Sequence, residues 1–297
     1  MKNDCAVAPV VAGLLILAVI VTVMSVYFNT YVPSLKEEAE IEHLSNVERE
    51  FLSFSSDIDN AVSQKSEGKV SRSFELGGGD VFLSSIKSGG TLQVEADAML
   101  FGFNVTALKD DSTTNITGWN SSLVNFSYQP LSNFWHDQGY SWQYGYVNLT
   151  TEYGKQTPLQ YKNMSEVKEE VRNDIDNSSG LFSSLFDMTY KYDYFNDTEN
   201  NHYRNCTDLD ITIVNFKKGR DSYASGNGAA ELRLETNVPY LNRTSNATML
   251  NFAFYDCELS EVKYAIWKNI NNKLISLQNR GLDNVIVSDG SNDVLGV

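Results

Sequence analysis

One run of residues limits this chain more than any other: from Ala6 to Phe28 there are 23 consecutive residues without a charge, AVAPVVAGLLILAVIVTVMSVYF. A helix rises about 1.5 Å per residue, so this length covers a hydrocarbon core roughly 30 Å thick. Secretory signals carry a shorter apolar region, about 7 to 15 residues, with a small-residue cleavage site after it. Here the run is longer and continues into YFNTYVP. A retained transmembrane helix over 6–28 is therefore expected. Residues 1–5 form a cytoplasmic end too short to hold a domain, and everything from 29 onward is expected outside the cell membrane.

The rest of the chain is acidic. The formal charge of −15 and pI near 4.6 exclude a nucleic-acid surface, which needs clustered Lys and Arg. The 42% apolar content of 297 residues is enough for a packed core.

Sequons N-x-S/T occur at Asn104, Asn115, Asn120, Asn125, Asn148, Asn163, Asn177, Asn196, Asn205, Asn242 and Asn246. Composition alone predicts roughly five, so the set is enriched about twofold and points to N-glycosylation on an extracytoplasmic surface. Cys206 and Cys257 form an even pair in the outer part, suiting one disulfide, while Cys5 lies at the inner mouth of the span.

Residues 29–65 read as an amphipathic stalk helix. Pro33 disfavours continuing the preceding helix undisturbed, and Ser34 with Glu37 makes an S-x-x-E capping box that can start a new helix or follow a kink. Apolar residues then repeat at alternating three and four: Leu44, Val47, Phe51, Phe54, Ile58 and Ala61. Such a seam either lies on the chain's own globular part or self-associates with other copies; the intramolecular contact is the expectation.

From 66 to 297 the punctuation is that of strands. Gly77, Gly78 and Gly79, then Gly89 and Gly90, bracket short alternating runs. Further strands are read at 122–129, 141–153, 209–217, 229–238, 248–257 and 285–289. A helix is read between Ser260 and Asn279, with Val262, Ile266, Ile270, Leu274 and Leu277 on one face and Trp267 beside it. The fold class is α+β: a long N-terminal helix and a β-rich extracellular domain, an antiparallel sheet or sandwich, with a C-terminal helix.

Chemistry-bearing motifs are sparse. His43, His136 and His202 are scattered, and no G-x-S-x-G, phosphate-binding loop or H-E-x-x-H occurs. Acidic runs at 193–199 and 288–293 lack the pattern of a calcium loop. No catalytic residue, metal or cofactor is expected. The aromatic cluster Phe134, Trp135, Tyr140, Trp142, Tyr144 and Tyr146 supports two readings, a packed core or a platform for surface glycans.

The N-terminus, with Ala8, Pro9 and Val10 opening one long apolar helix, resembles archaeal type IV pilin-like proteins. FELGGGDVFL, SGGTLQVE and FSYQPLSNFWHDQGYSWQYGYVNL extend the resemblance to uncharacterised membrane-anchored members of that group. The resemblance implies export, and for true pilins removal of the leader by a peptidase and a filament core built from the helix. The end MKNDC has no basic residue directly followed by Gly or Ala, which favours retention as an anchored protein. The function expected is therefore non-enzymatic: surface structure, adhesion or filament assembly. The alternative is an anchored carbohydrate- or ligand-binding module.

Overall fold

The computed structural model describes residues 4–78, 87–109, 112–131, 137–151, 154–177, 179–196, 202–239, 247–254, 260–278, 286–287 and 294–296. It is a mixed helix and sheet structure built on one very long N-terminal helix.

That helix begins as α1 (Asp4–Val26), passes through a π-helical turn (Tyr27–Tyr31) and continues as α2 (Val32–Gln64). Pro33 is the reason for the wide turn. It has no N–H to offer the carbonyl four residues back, and its ring crowds that carbonyl. The chain responds by widening: the Val32 N–H bonds to the Tyr27 carbonyl, five residues back. The helix thus passes the proline without ending. The Ser34/Glu37 capping box does not form, because α2 follows a residue that is already helical and no side chain caps it.

The two halves differ in what surrounds them. From Pro9 to Val26 every side chain is exposed, Leu14, Ile16 and Val19 by about three-fifths each, and this helix is long and apolar enough to cross a membrane. Its few polar groups are satisfied within the helix: Thr22 Oγ1 donates to the Ala18 carbonyl at 2.7 Å, and Asn29 Nδ2 to that of Ser25 at 2.9 Å. In α2 the expected seam is buried at Leu44, Val47, Phe51, Phe54 and Ile58, while Val62 completes it and Ala61 is only half-buried. Residues 29–65 are therefore not a free-standing stalk: α2 is a central element of the head's own core. Lys65, in the left-handed conformation with φ 49°, ends the helix by bonding its N–H to the Ala61 carbonyl.

The head is built from antiparallel strands. β1 (Gly68–Glu75) pairs with β10 (Ala229–Thr236). A nine-stranded sheet contains β2 (Gly89–Lys109), β3 (Ser112–Leu131), β4 (Gln138–Gln143), β5 (Tyr146–Thr151), β6 (Gln156–Pro158), β9 (Tyr223–Gly226), β11 (Ala247–Phe254), β12 (Ile286–Val287) and β13 (Val294–Gly296). Its order is β12-β13-β11-β2-β3-β4-β5-β6, with β9 added to the first residues of β2. β7 (Phe186–Asn196) and β8 (His202–Ile213) form a separate hairpin.

Three helices flank the sheets: α3 (Met164–Asp176), α4 (Gly180–Ser184) and α5 (Ser260–Gln278). α5 buries Val262, Ala265, Ile266, Ile270 and Leu274, and its Asn269 reaches the Phe182 and Ser183 carbonyls of α4.

One strand reading changes. The stretch 141–153 is not one strand but two, because Tyr144 and Gly145 both take positive φ (54° and 90°) and close a two-residue hairpin between β4 and β5. α3, α4 and β7 carry no expectation from the sequence.

Candidate functional site

The site that the sequence and fold single out is the junction where the exposed apolar helix becomes the core of the head. The strands β3 and β4 lay aromatic residues against α2. Phe126 and Trp142, directly paired across β3 and β4, stack with ring centres 5.2 Å apart and planes 10° off parallel. Phe51 sits among Phe126, Phe74 and Tyr140 at 5.2, 6.1 and 6.1 Å. Aromatic pairs at these distances add to the gain from burial alone.

A file of polar contacts runs up the same helix. His43 Nε2 lies 3.0 Å from the Tyr128 hydroxyl, which is 2.9 Å from the Leu76 carbonyl. A carbonyl can only accept, so Tyr128 gives its proton to Leu76, and His43 donates to Tyr128 through Nε2–H. Higher up, the Tyr140 hydroxyl donates to Glu48 at 3.2 Å, and Trp142 Nε1 to Ser55 Oγ at 3.0 Å. Arg72 of β1 grips both oxygens of Asp57, at 2.7 and 3.0 Å. At the top, Lys65 and Lys273 of α5 both bond Asp187, each at 2.8 Å.

The protonation states follow. Burial holds the His43 ring below its ordinary range, with Glu40 and Glu75 opposing the shift. Burial also raises the Tyr128 hydroxyl, and for Tyr140 burial is reinforced by Glu48, so both stay protonated and serve as donors. The two lysine hydrogen bonds keep the Asp187 carboxyl well below the usual carboxylate range.

Gly90 is needed for this arrangement. A Cβ there would lie 2.3 Å from the Tyr128 ring and 2.5 Å from the Leu76 oxygen.

These groups position; none is arranged as a nucleophile with its base. Among the described residues no group of three His, Cys, Asp or Glu side chains could hold a metal ion. Asp59 of α2 is pushed up to about 6, first by desolvation and then by Asp174 of α3. Its side chain remains exposed, so water screens that repulsion and it lines no enclosed site.

The aromatic cluster divides. Tyr140, Trp142, Tyr144 and Tyr146 are buried, Trp142 completely, and so form core, with no face free for a sugar. Phe134 and Trp135 lie outside the described residues.

The sequons scatter over several elements. Asn120, Asn163 and Asn177 are exposed. Asn163 Oδ1 accepts the Glu166 N–H at the start of α3, at 3.0 Å. Asn148 is fully buried on β5, and both its amide atoms lack a partner, so a glycan does not fit there in this fold. Asn125, half-buried on β3, has its Oδ1 buried and unpartnered. Asn104, Asn115, Asn196 and Asn205 lie on β2, β3, β7 and β8, while Asn242 and Asn246 lie outside the described residues. Cys206 lies on β8 opposite Tyr192, and Cys257 lies outside the described residues. Ala8, Pro9 and Val10 are in the first turns of α1.

The sequence reading missed the lower end of the seam. Lys36 and Glu40 are buried, in step with Val32 and Leu44 on one face. The spacing 32, 36, 40, 44 was visible, but charged residues hid it from a search for apolar repeats.

Comparison of the chain with protein-family models, with curated proteins and with solved structures finds no match.

Proposed function

We propose that this is a single-pass, membrane-anchored surface protein of type IV pilin-like design, with its N-terminus cytoplasmic and its N-glycosylated head extracellular. It acts without catalysis, in surface structure, adhesion or filament assembly. One observation carries the reading: the helix Asp4–Gln64 is apolar and unpacked along its first part and is the core of the head along its second. Such a helix ties the head to whatever the apolar part enters, lipid or a bundle of like helices. The side is supported by charge. Glu37, Glu38 and Glu42 are exposed just beyond the span, and an acidic collar is disfavoured beside the anionic cytoplasmic leaflet.

The alternative, a glycan-binding module, draws no support from Tyr140, Trp142, Tyr144 and Tyr146, which are interior.

The experiment is to fractionate membranes and any surface filaments, then sequence the mature N-terminus of the protein in each. Recovery in membranes with Met1 or Lys2 intact supports a permanently anchored protein and rules out a polymerised subunit. Recovery in filaments with the N-terminus trimmed near Cys5 or Ala6 supports the filament form. Recovery from the soluble fraction alone would overturn both.

A further inference from the structure

One loop runs against the charge of the chain. Lys217, Lys218 and Arg220 put three of the 23 basic residues into four consecutive positions, and no other four positions hold three. All three are exposed and make no ion pair among the described residues. Tyr223, just beyond them on β9, is 65% exposed. Arginine and tyrosine are among the residues that most often anchor protein interfaces, and a cationic loop on a chain of net charge −15 has its complement on other chains of the same kind.

Both ends of this loop are fixed at one level of α2. At its start the Phe216 N–H bonds the Ser122 carbonyl, and the Phe216 ring lies 6.3 Å from that of Trp142, whose Nε1 reaches Ser55. At its end the Ser222 carbonyl takes the N–H of Val94, which pairs across β2 and β3 with Phe126, and Phe126 packs on Phe54. Ser55 is about 36 Å beyond Tyr31 at the helical rise, so the loop is well clear of the headgroups of the bilayer that the helix enters.

An acidic group stands at nearly the same height. Asp59 of α2 and Glu166, Glu170 and Asp174 of α3 all bear on the Tyr161 hydroxyl. Asp59 is one helical turn from Ser55, about 6 Å, which the flexible stem of a lysine spans. Glu169 and Glu170 are exposed at the middle of α3, between the sequons Asn163 and Asn177. Of the cations on α3, Lys168 is taken by Glu261 and only Arg172 is exposed. Burial, opposed by the Ser179 hydrogen bond and reinforced by Glu170, raises the Asp174 carboxyl, and Asp174 in turn adds to the rise at Asp59, so a cation brought into contact relieves their repulsion. The loop returns to the sheet at β2 while α3 follows β6, four strands away, about 19 Å at the usual strand spacing. The two charged surfaces therefore do not satisfy each other within one head.

We propose that the partner of the basic loop is a second copy of this chain: Lys217, Lys218 and Arg220 of one head dock on the acidic surface formed by Asp59 and α3 of its neighbour in the same membrane. This rests on the anchored reading above, which sets the copies parallel and brings loop and acids to matching heights. The contact joins two different surfaces, so each copy offers both and the heads extend as a row or close as a ring. Exposed ion pairs are individually weak and screened by salt, and confinement to one membrane raises the local concentration at which several of them suffice.

The test uses the full chain in phosphatidylcholine vesicles, with a photo-crosslinking amino acid in place of Tyr223. The expected result is a crosslinked pair in which the captured peptide contains α3 or Asp59. Lys217→Glu, Lys218→Glu and Arg220→Glu together should cut its yield at least about fivefold, as should Glu169→Lys with Glu170→Lys, and molar salt should do the same to the unsubstituted loop. All five substitutions in one chain should restore most of the yield. A yield indifferent to salt and to both reversals, a capture site elsewhere, or no recovery in the fivefold variant while the head still melts as wild type overturns the docking and leaves the anchor standing. A chain that gives no crosslinked pair but binds heparin, a sulfated polysaccharide, through the same three residues overturns it in favour of a polyanion. If the protein does not float with the vesicles, both readings fall.

Discussion

Truncating Phe51 to alanine separates a helix that belongs to the head's interior from one that merely carries it. Phe51 has no exposed surface and touches three other rings, those of Phe74, Phe126 and Tyr140. Removing a fully buried phenylalanine costs about 3–5 kcal/mol, the sum of lost transfer energy and the cavity left behind. Three ring contacts argue for the middle of that range or above, about 4 kcal/mol. For a domain of this size each kcal/mol moves the midpoint by about 2–4 °C, so the head should melt about 8–16 °C lower. The assay is thermal unfolding of the full chain in detergent, followed by near-UV circular dichroism, with Ile41→Ala as control. Ile41 is on the same helix but 52% exposed, and its truncation should cost less than about 0.5 kcal/mol. If Phe51→Ala left the head's melting within 2 °C of wild type and instead changed the association state, the seam would be an intermolecular one and the packing described above would be wrong.

The remaining tests address individual contacts. Tyr128→Phe leaves the ring in place but removes the partner of Leu76 and of His43, and should destabilise by about 1–3 kcal/mol in urea titrations; a change under 0.3 kcal/mol would mean the hydroxyl is idle. Asp187 is held below its ordinary pKa by Lys273 and Lys65, so its stabilisation is complete above the usual carboxylate range and is lost as pH falls below about 4 toward the folded-state value. Asp187→Asn should flatten that part of the stability curve, and an unchanged slope between pH 5 and 2 would remove Asp187 from the account. Peptide mass spectrometry of natively expressed protein should find glycans among Asn120, Asn163 and Asn177 and none on Asn148; an occupied Asn148 contradicts the burial of β5.

The long helix was legible because its two signals are strong and local. A charge-free run shows at once, and Leu44 to Ile58 repeats at a helical period that no strand shares. What the seam meets was legible only as a choice, since periodicity fixes which face is apolar but not the partner. The strands of the central sheet were visible in alternation, yet the break at Tyr144 and Gly145 was not, because Tyr144 is an unusual residue for positive φ. α3 was missed because Val167 and Val171 are its only described fully buried apolar residues, set among charged ones that resemble a loop. The pairing of Asp187 with both Lys65 and Lys273 links residues over eighty positions apart, and no pattern along the chain encodes it. Asn148 shows the opposite failure: a sequon is a purely local motif, while burial depends on β4 and β6 on either side.

The continuity of α1 and α2 also determines how the protein carries load. A pull that draws the head away from the anchoring helix acts along the axis of α2, parallel to its seam. Contacts from Val32 to Val62 then share the force in shear, and they cannot be peeled apart one after another. The ion pairs at Asp57 and Asp187 resist the same sliding. Sideways force meets the π-helical turn instead, five residues with nothing buried, just below the first buried residue. The molecule is thus strong in tension along its length, and its compliance is concentrated at the one place where Pro33 obliged the helix to widen.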